Sequence, residues 1–286
     1  MNIVNADQYC REKSAKSGSS FYYSFLFLTP IQRQAITAVY AFCREVDDVV
    51  DECHDKNIAA QKLNWWNNEI EQVFSGMPQH PIGLSLQQAC RHFPLKKNLF
   101  QDILQGMQMD LQYQGYESFA DLERYCYCVA SAVGLLAVEI FGFEDEKTLN
   151  YAKNLGIALQ LINIIRDVGE DAARGRIYIP ENELTQFSLT PQTILAKQYS
   201  ENFYQLMQFQ AKRAKDYYQK ALSDLVPQDI AKQRTGLIMA EIYQALLNEI
   251  EEDNYQVLHQ KVSLTPLRKL WIAWKTHRCL KKKKVF

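Results

Sequence analysis

Apolar side chains recur every three or four residues through most of this chain, which is the spacing of one face of an α-helix. The periodic segments are residues 31–50, 63–74, 99–113, 122–141, 149–168, 203–222 and 230–250. We find no convincing alternation of apolar and polar residues, which would indicate half-buried strands. The pattern therefore predicts an all-α protein of roughly ten helices.

Turn-forming residues interrupt this pattern at helix-length intervals. The interruptions fall at residues 29–30, 77–83, 94, 142 and 175–180. No linker and no internal repeat is visible between them. We therefore predict a single domain over residues 1–286, with a basic, frayed tail at about 281–286.

Composition narrows the class of protein. The formal net charge is −1, so the chain has no overall attraction for nucleic acid, and we expect no nucleic-acid partner. Seven cysteines are odd in number and scattered, which favours reduced thiols in the cytoplasm. No secretory signal is recognised at the N-terminus. The most apolar stretch, residues 129–143, is too short to span a bilayer and contains Glu139.

One stripe of charged and aromatic residues lies in the first strongly periodic segment. A helix advancing 3.6 residues per turn places Tyr40, Arg44, Asp47 and Asp51 within about 60° of one another. Carboxylates four residues apart repel, so this arrangement favours folding only if a cation or hydrogen bonds compensate. A solvated acidic helix face is the alternative interpretation.

A second stripe occurs in the segment that follows residue 149. Asn163, Asp167 and Asp171 are spaced four residues apart and share one face with Gln160. The opposite face is apolar, so the polar stripe can face a cleft while its back is buried. Several hard oxygen ligands of this kind suit Mg²⁺, which is commonly bound by one or two carboxylates together with substrate phosphates.

Such a site could remove diphosphate from an allylic carbon, provided that the resulting carbocation is protected from water. Aromatic rings stabilise a cation without reacting with it. The candidate pocket linings are Phe21, Tyr22, Phe25, Tyr40 and Tyr125. Ordinary core packing is the alternative for each ring. Likewise, the small residues at 130–132 and Gly134 allow either a substrate groove or close helix packing.

Together these motifs resemble the squalene and phytoene synthase family of head-to-head prenyltransferases, and the resemblance covers nearly the whole chain. Within the family, the chain is most similar to the bacterial hopanoid-associated presqualene diphosphate synthases. The stretches that carry the resemblance are residues 17–25, 40–51, 125–134, 163–171, 174–180 and 257–274.

The resemblance implies a single-domain isoprenoid synthase fold, of the class I terpenoid synthase type, with a central cavity. It implies two or three Mg²⁺ ions with diphosphate, and farnesyl diphosphate as substrate. The implied metal ligands are Asp47, Asp51, Asn163, Asp167 and Asp171. The implied catalytic residues are Tyr40, Arg44, Tyr125 and Arg166, where the arginines contact diphosphate and Tyr125 either positions it or relays a proton. The implied substrate-binding residues are Ser20, Phe21, Phe25, Val129, Val133, Gly134, Gln160, Arg176 and Tyr243.

One position departs from the family pattern. Some carotenoid-forming relatives have His-Ser-Lys-Ser where this chain has Ser-Gly-Ser-Ser at 17–20, so a lysine contact to diphosphate is missing at Ser19. The positive charge must then come from elsewhere, or the chemistry must stop earlier. The candidate replacements are Arg44, Arg166, Arg176 and Lys261.

The expected reaction is therefore the condensation of two farnesyl diphosphates to presqualene diphosphate, in squalene and hopanoid biosynthesis. This step needs no NADPH, and the sequence leaves open a second, reductive half-reaction. Squalene, dehydrosqualene or phytoene synthase is the nearest alternative. A terpene cyclase is more distant, because its second motif usually ends in Glu where this chain has Asp171. A non-catalytic assembly factor should have lost the metal ligands.

Residues 281–284 are four consecutive lysines that follow an aromatic segment. They could touch anionic lipid, or form a solvated terminus. We therefore expect a cytoplasmic protein with transient contact at the inner face of the membrane, which passes its product to downstream isoprenoid enzymes.

Overall fold

The chain folds into α-helices that surround a large cavity. The structure is a computed structural model that describes residues 3–16, 24–53 and 55–281. Within these ranges there is no strand, and the all-α prediction is confirmed. The thirteen α-helices in the described ranges are α1 Ile3–Lys16, α2 Pro30–Glu52, α3 Lys56–Ser75, α4 Pro81–His92, α5 Lys97–Leu111, α6 Phe119–Cys126, α7 Ala132–Phe141, α8 Lys147–Ala173, α9 Glu181–Gln186, α10 Pro191–Leu195, α11 Glu201–Asp224, α12 Arg234–Glu252 and α13 Pro266–Lys281.

Local sequence explains where the helices near the site begin. Thr29 caps α2 through a reciprocal capping box with Gln32, and Pro30 occupies the first helical position. The predicted interruption at residues 29–30 is therefore a helix start. Asp55 caps α3 by accepting hydrogen bonds from the backbone N–H groups of Asn57 and Ile58.

The predicted loop at residues 77–83 is too long by three residues. Helix α4 begins at Pro81, because proline is well suited to a first helical turn, where its missing N–H costs nothing. The side chain of His80 caps this helix by accepting from the backbone N–H of Ile82. Ahead of it, buried Glu69 accepts hydrogen bonds from the backbone N–H groups of Gln79 and His80, at 2.8 and 2.7 Å.

Three longer helices, α1, α4 and α13, were not among the predicted segments. Among the side chains of α1 that the structure describes, the buried ones are Ala6, Cys10 and Ser14, and the buried face of α13 includes Ala273 and Thr276. These small or polar residues give a weak apolar signal, although they are spaced correctly for helices. The other predicted segments lie on helices, with ends that shift by a few residues; α12, for example, begins at Arg234 rather than at residue 230.

Helix α8 is the structural centre, since α6, α7, α10, α11 and α12 all pack against it. A π-helical turn at Tyr127–Ser131, between α6 and α7, also packs there. Gly156 of α8 permits this contact, because a Cβ atom at position 156 would lie 2.6 Å from the Cα atom of Ser131. A Cβ atom at position 134 would likewise lie 2.9 Å from the carbonyl oxygen of Ala152. Such close approach fixes the position of the π-helical turn relative to α8, and π turns often occur at functional sites.

The run Phe119–Phe141 comprises α6, the π-helical turn and α7. It is 23 residues long, and by length and composition it could cross a membrane, whereas residues 129–143 alone are too short. Half of its most apolar window is buried inside the protein, and the run packs against α5 and α8. This packing is that of a core helix, so length and composition alone carry no membrane assignment.

Candidate active site

The two acidic stripes predicted from helical spacing face the same cavity, which has a volume of about 590 Å³. Helix α2 provides one wall and the C-terminal half of α8 provides the other. The predicted site residues on this cavity are Tyr40, Arg44, Asp47, Asp51, Tyr125, Val129, Gln160, Asn163, Arg166, Asp167, Asp171, Arg176 and Tyr243. Ser20, Phe21 and the candidate pocket residue Tyr22 lie outside the described residues, and so does the predicted tail beyond residue 281.

On the α2 wall, Arg44 bridges two carboxylates. Its Nη1 donates to Asp47 Oδ2 at 2.5 Å and its Nη2 to Asp48 Oδ1 at 2.9 Å. Asp48 also pairs with Lys13 of α1 at 2.8 Å and does not line the cavity. Asp47 and Asp51 both line it, which is the orientation that their spacing of four residues predicts.

On the α8 wall, Arg166 forms two parallel hydrogen bonds with the carboxylate of Asp167, the first of them 2.7 Å long. Lys261, in the segment between α12 and α13, approaches the same carboxylate at 3.2 Å. The Nδ2 atom of Asn163 donates to Gln160 Oε1 at 3.2 Å. Arg44 and Arg166, which were expected to contact diphosphate, are thus hydrogen bonded to carboxylates of their own helices.

Ion pairs connect the two walls. Arg174 and Arg176, immediately after α8, donate to the two oxygens of Asp51 at 3.0 and 3.1 Å. More than 120 residues separate these partners in the chain. The cavity can therefore bring its acidic residues together because basic side chains from both walls compensate their charge.

Two carboxyl groups in the cavity are poorly compensated. Burial, together with the neighbouring carboxylate Asp51, raises the pKa of Asp47 to about 6, even though Arg44 opposes this shift. Burial and the charge of Asp167 raise the pKa of Asp171 to about 7. Among the described residues, no side chain donates a hydrogen bond to the carboxylate of Asp171. An added cation would stabilise the charged form of both groups.

The residues present fit a divalent cation that is completed by substrate. The Oδ1 atom of Asn163 is buried, and nothing in the described part of the chain donates to it. It is a hard oxygen on the same wall as Asp167 and Asp171. No three His, Cys, Asp or Glu side chains of the described residues are close enough to form a metal site by themselves. Mg²⁺ would therefore need phosphate oxygens among its ligands, as is usual for this ion.

An apolar channel of about 190 Å³ adjoins the polar cavity. Six of the described residues border both spaces: Tyr40, Cys43, Val129, Gln160, Asn163 and Tyr243. Three other predicted residues, Phe25, Val133 and Gly134, line the channel but not the polar cavity. Gly134 thus serves close helix packing and also borders the channel, so the two interpretations of this glycine are compatible. A ligand with a charged head and a hydrocarbon tail would match the pair of spaces.

The four proposed replacements for the missing lysine all lie on the cavity: Arg44, Arg166, Arg176 and Lys261. The structure adds two basic residues that the sequence reasoning missed, Arg174 and Lys269. Burial and the nearby Arg166 lower the pKa of the Lys269 ammonium group. Six basic side chains from the described ranges therefore line the same cavity as the carboxylates.

A buried hydrogen-bonded cluster was also missed. The hydroxyl groups of Tyr125 and Tyr178 donate to the two oxygens of Asp110, at 2.8 and 2.7 Å. Burial raises the pKa of Asp110, although both hydrogen bonds oppose the shift. Its helical segment contains one other acidic residue, Asp102, which does not line the cavity, so no stripe of cavity residues marks Asp110. The three residues line the polar cavity and form a path along which a proton can move.

The helical fold and the acid-lined cavity define an isoprenoid synthase, since a solved dehydrosqualene synthase has the same fold, with a TM-score of 0.88 and 30% identity over 98% of both chains. A sequence model described as squalene/phytoene synthase matches residues 14–268. The chain therefore belongs to the squalene/phytoene synthase family.

Other relatives agree with this assignment. Squalene synthase HpnC from Alicyclobacillus acidocaldarius has a TM-score of 0.79 and 27% identity over 88% of this chain and 95% of its own. The 15-cis-phytoene synthase of Synechococcus elongatus is 33% identical over 94% of this chain and 91% of its own length. Phytoene synthase 1 of Arabidopsis thaliana, a chloroplastic protein, is 34% identical over 91% of this chain, which spans 63% of that relative.

Proposed function

We propose that this protein condenses two molecules of farnesyl diphosphate head to head into presqualene diphosphate, with Mg²⁺, for squalene and hopanoid biosynthesis. The observation that carries the proposal is the junction of two unlike spaces. A cavity lined by carboxylates and arginines opens at Tyr40, Gln160, Asn163 and Tyr243 onto an apolar channel. Prenyl diphosphates have matching parts, a polyanionic head and an apolar chain.

Asp47, Asp51, Asn163, Asp167 and Asp171 would hold the metal. When bound, Mg²⁺ supplies Lewis-acid stabilisation of the negative charge that develops on diphosphate as the allylic C–O bond breaks. The protein's part begins with positioning. Arg44, Arg166 and Arg176 offer guanidinium groups that can exchange their carboxylate partners for diphosphate oxygens.

The apolar channel then protects the allylic cation from water, while Tyr40 and Tyr243 border its entrance, where an aromatic ring face can stabilise a cation. The double bond of the second farnesyl chain attacks the cation, and loss of a proton closes the cyclopropane ring. The departing diphosphate takes this proton. Tyr125 lies on the same cavity and can relay this proton from diphosphate to Asp110, accepting it as its own hydroxyl proton moves to that carboxylate, whose pKa is raised by burial.

Phytoene synthesis is the second candidate, because several curated relatives at 33–35% identity carry that name. It differs in using the longer geranylgeranyl chain and in opening the cyclopropane. Substrate length therefore separates the two candidates directly.

The test is to supply farnesyl or geranylgeranyl diphosphate with Mg²⁺, with and without NADPH, and to identify the products by mass. We expect a thirty-carbon diphosphate from farnesyl diphosphate under both conditions. A thirty-carbon hydrocarbon would instead indicate squalene or dehydrosqualene synthesis, and a forty-carbon product would indicate phytoene synthesis. A fifteen-carbon hydrocarbon would indicate a terpene cyclase and overturn the head-to-head reaction.

A further inference from the structure

The outer face of α13 exposes an unusual group of large apolar side chains. On a helical wheel they fall within about 100° of one another, which makes them one continuous stripe. The members are Leu267 at 79% exposure, Leu270 at 41%, Trp271 at 56% and Trp274 at 50%. The opposite face of the helix, with Ile272, Ala273 and Thr276, is buried, and α13 packs on α12. The stripe is therefore not part of the protein core.

Basic residues surround this stripe. The ammonium group of Lys275 lies 5.1 Å from the ring centre of Trp271, and the guanidinium group of Arg278 lies 4.7 Å from that of Trp274. Arg268 is engaged with Glu249 of α12. The sequence contains no Asp or Glu after Asp253, whereas nine Lys and Arg residues follow it. A chain with a net charge of −1 thus concentrates positive charge at one end.

We propose that the outer face of α13 docks on the surface of an anionic phospholipid bilayer. Tryptophan and leucine side chains enter the boundary between headgroups and acyl chains, and basic side chains beside them pair with lipid phosphates. At 16 residues and with five Lys or Arg, α13 is too short and too charged to span a bilayer. It would lie in the plane of the interface.

The choice of lipid over a protein partner rests on charge and on position. Protein interfaces favour aromatic residues and arginine but are depleted of lysine, whereas the exposed face and the segment after it are rich in lysine.

The chain segment that leads into α13 also borders the active-site cavity through Ser263 and Leu264, and Lys269 of α13 lines it too. A bilayer on the outer face would therefore lie about one helix diameter, roughly 10 Å, from the cavity wall. This arrangement suits a ligand with an apolar chain.

The test measures co-sedimentation of the full chain with vesicles of phosphatidylcholine alone and with vesicles that contain about one third phosphatidylglycerol. We expect the wild type to bind the anionic vesicles, with binding that weakens in high salt. Trp271→Gln/Trp274→Gln and Lys275→Glu/Arg278→Glu should each weaken this binding by about tenfold or more.

Matched controls lie on α3, on residues without an assigned role. Trp65→Gln removes an indole ring that is 45% exposed, and Lys56→Glu/Lys62→Glu reverses two exposed charges. Both control variants should bind as the wild type does. Circular dichroism and turnover without vesicles should be unchanged in the α13 variants, because their substituted residues do not line the cavity.

Tryptophan fluorescence gives a second readout, since the chain has only four tryptophans. A blue shift on addition of anionic vesicles should occur in the wild type and in Trp65→Gln, and be absent from Trp271→Gln/Trp274→Gln. Normal vesicle binding by both α13 variants would overturn the proposal. A wild type that ignores vesicles but forms a dimer, which these variants break into monomers, would assign the face to a second copy of this chain instead.

Discussion

Asp171→Asn should make the metal-free protein more stable while it abolishes turnover. The pKa of Asp171 rises from 3.8 to about 7 on folding, because burial and the charge of Asp167 disfavour its ionised form. A carboxyl with a raised pKa binds its proton more tightly in the folded state than in the unfolded state. Stability must therefore fall as pH rises from about 4 through about 7.

The size of the effect follows from this shift. About three pKa units correspond to about 4 kcal/mol at neutral pH, which is an upper limit. Partial solvent access to the cavity screens the charge, so we expect Asp171→Asn to raise the free energy of unfolding by about 1–2 kcal/mol at pH 8. The gain should shrink below about 0.5 kcal/mol near pH 4, where the wild-type carboxyl is protonated in the folded state and half protonated in the unfolded state.

Urea denaturation of wild type and variant across this pH range, in a chelating buffer, measures the difference directly. Asp216→Asn is the control, because Asp216 is a surface residue that pairs with exposed Lys212, and it should change stability by less than about 0.5 kcal/mol at every pH. Adding Mg²⁺ with inorganic diphosphate should stabilise the wild type but not Asp171→Asn. If Asp171→Asn lowered stability at pH 8, the cavity would not hold the uncompensated charge that we assign to it.

Further predictions concern the acidic residues of α2, the contact between Gly156 and the π-helical turn, and the hydroxyl group of Tyr125. Asp47→Asn should reduce Mg²⁺-dependent turnover at least about a hundredfold and leave the circular dichroism spectrum unchanged. Asp48→Asn is the control, because Asp48 is the next residue and does not line the cavity, and this variant should retain most of the turnover. Gly156→Ala should cost about 1–3 kcal/mol in urea denaturation, because the added methyl group meets the backbone of the π-helical turn, and a cost near zero would refute that contact. Tyr125→Phe should lower kcat about tenfold or more and change its pH profile. Tyr116→Phe should leave kcat unaltered, because the Tyr116 hydroxyl has no partner among the described residues.

Much of the site was predictable because its residues are periodic. The acidic stripes on α2 and α8 follow helical spacing within single segments, so both walls could be found without knowing how the helices pack. The apolar back of the α8 stripe indicated which side of that helix was buried. The same reasoning identified Gln160 beside Asn163, and the two side chains are hydrogen bonded.

The rest depends on contacts between distant parts of the chain. Asp110 meets Tyr178 across 68 residues, and Arg176 meets Asp51 across 125. A single buried carboxylate, or an arginine in a loop, leaves no periodic signal, so only the packing of helices around α8 reveals these partners. Helix α1 was missed for a related reason, since its buried positions are Ala, Cys and Ser.

A crystal structure with Mg²⁺ and an unreactive thio analogue of farnesyl diphosphate would show whether carboxylates from both walls share divalent cations with diphosphate. We expect Mg²⁺ ions about 2.1 Å from oxygens of diphosphate, with ligands from both α2 and α8. Asp51 should have exchanged Arg174 and Arg176 for metal. Diphosphate held by arginines alone, with Asp47, Asp51 and Asp167 still paired as they are now and no cation between the walls, would contradict this shared coordination.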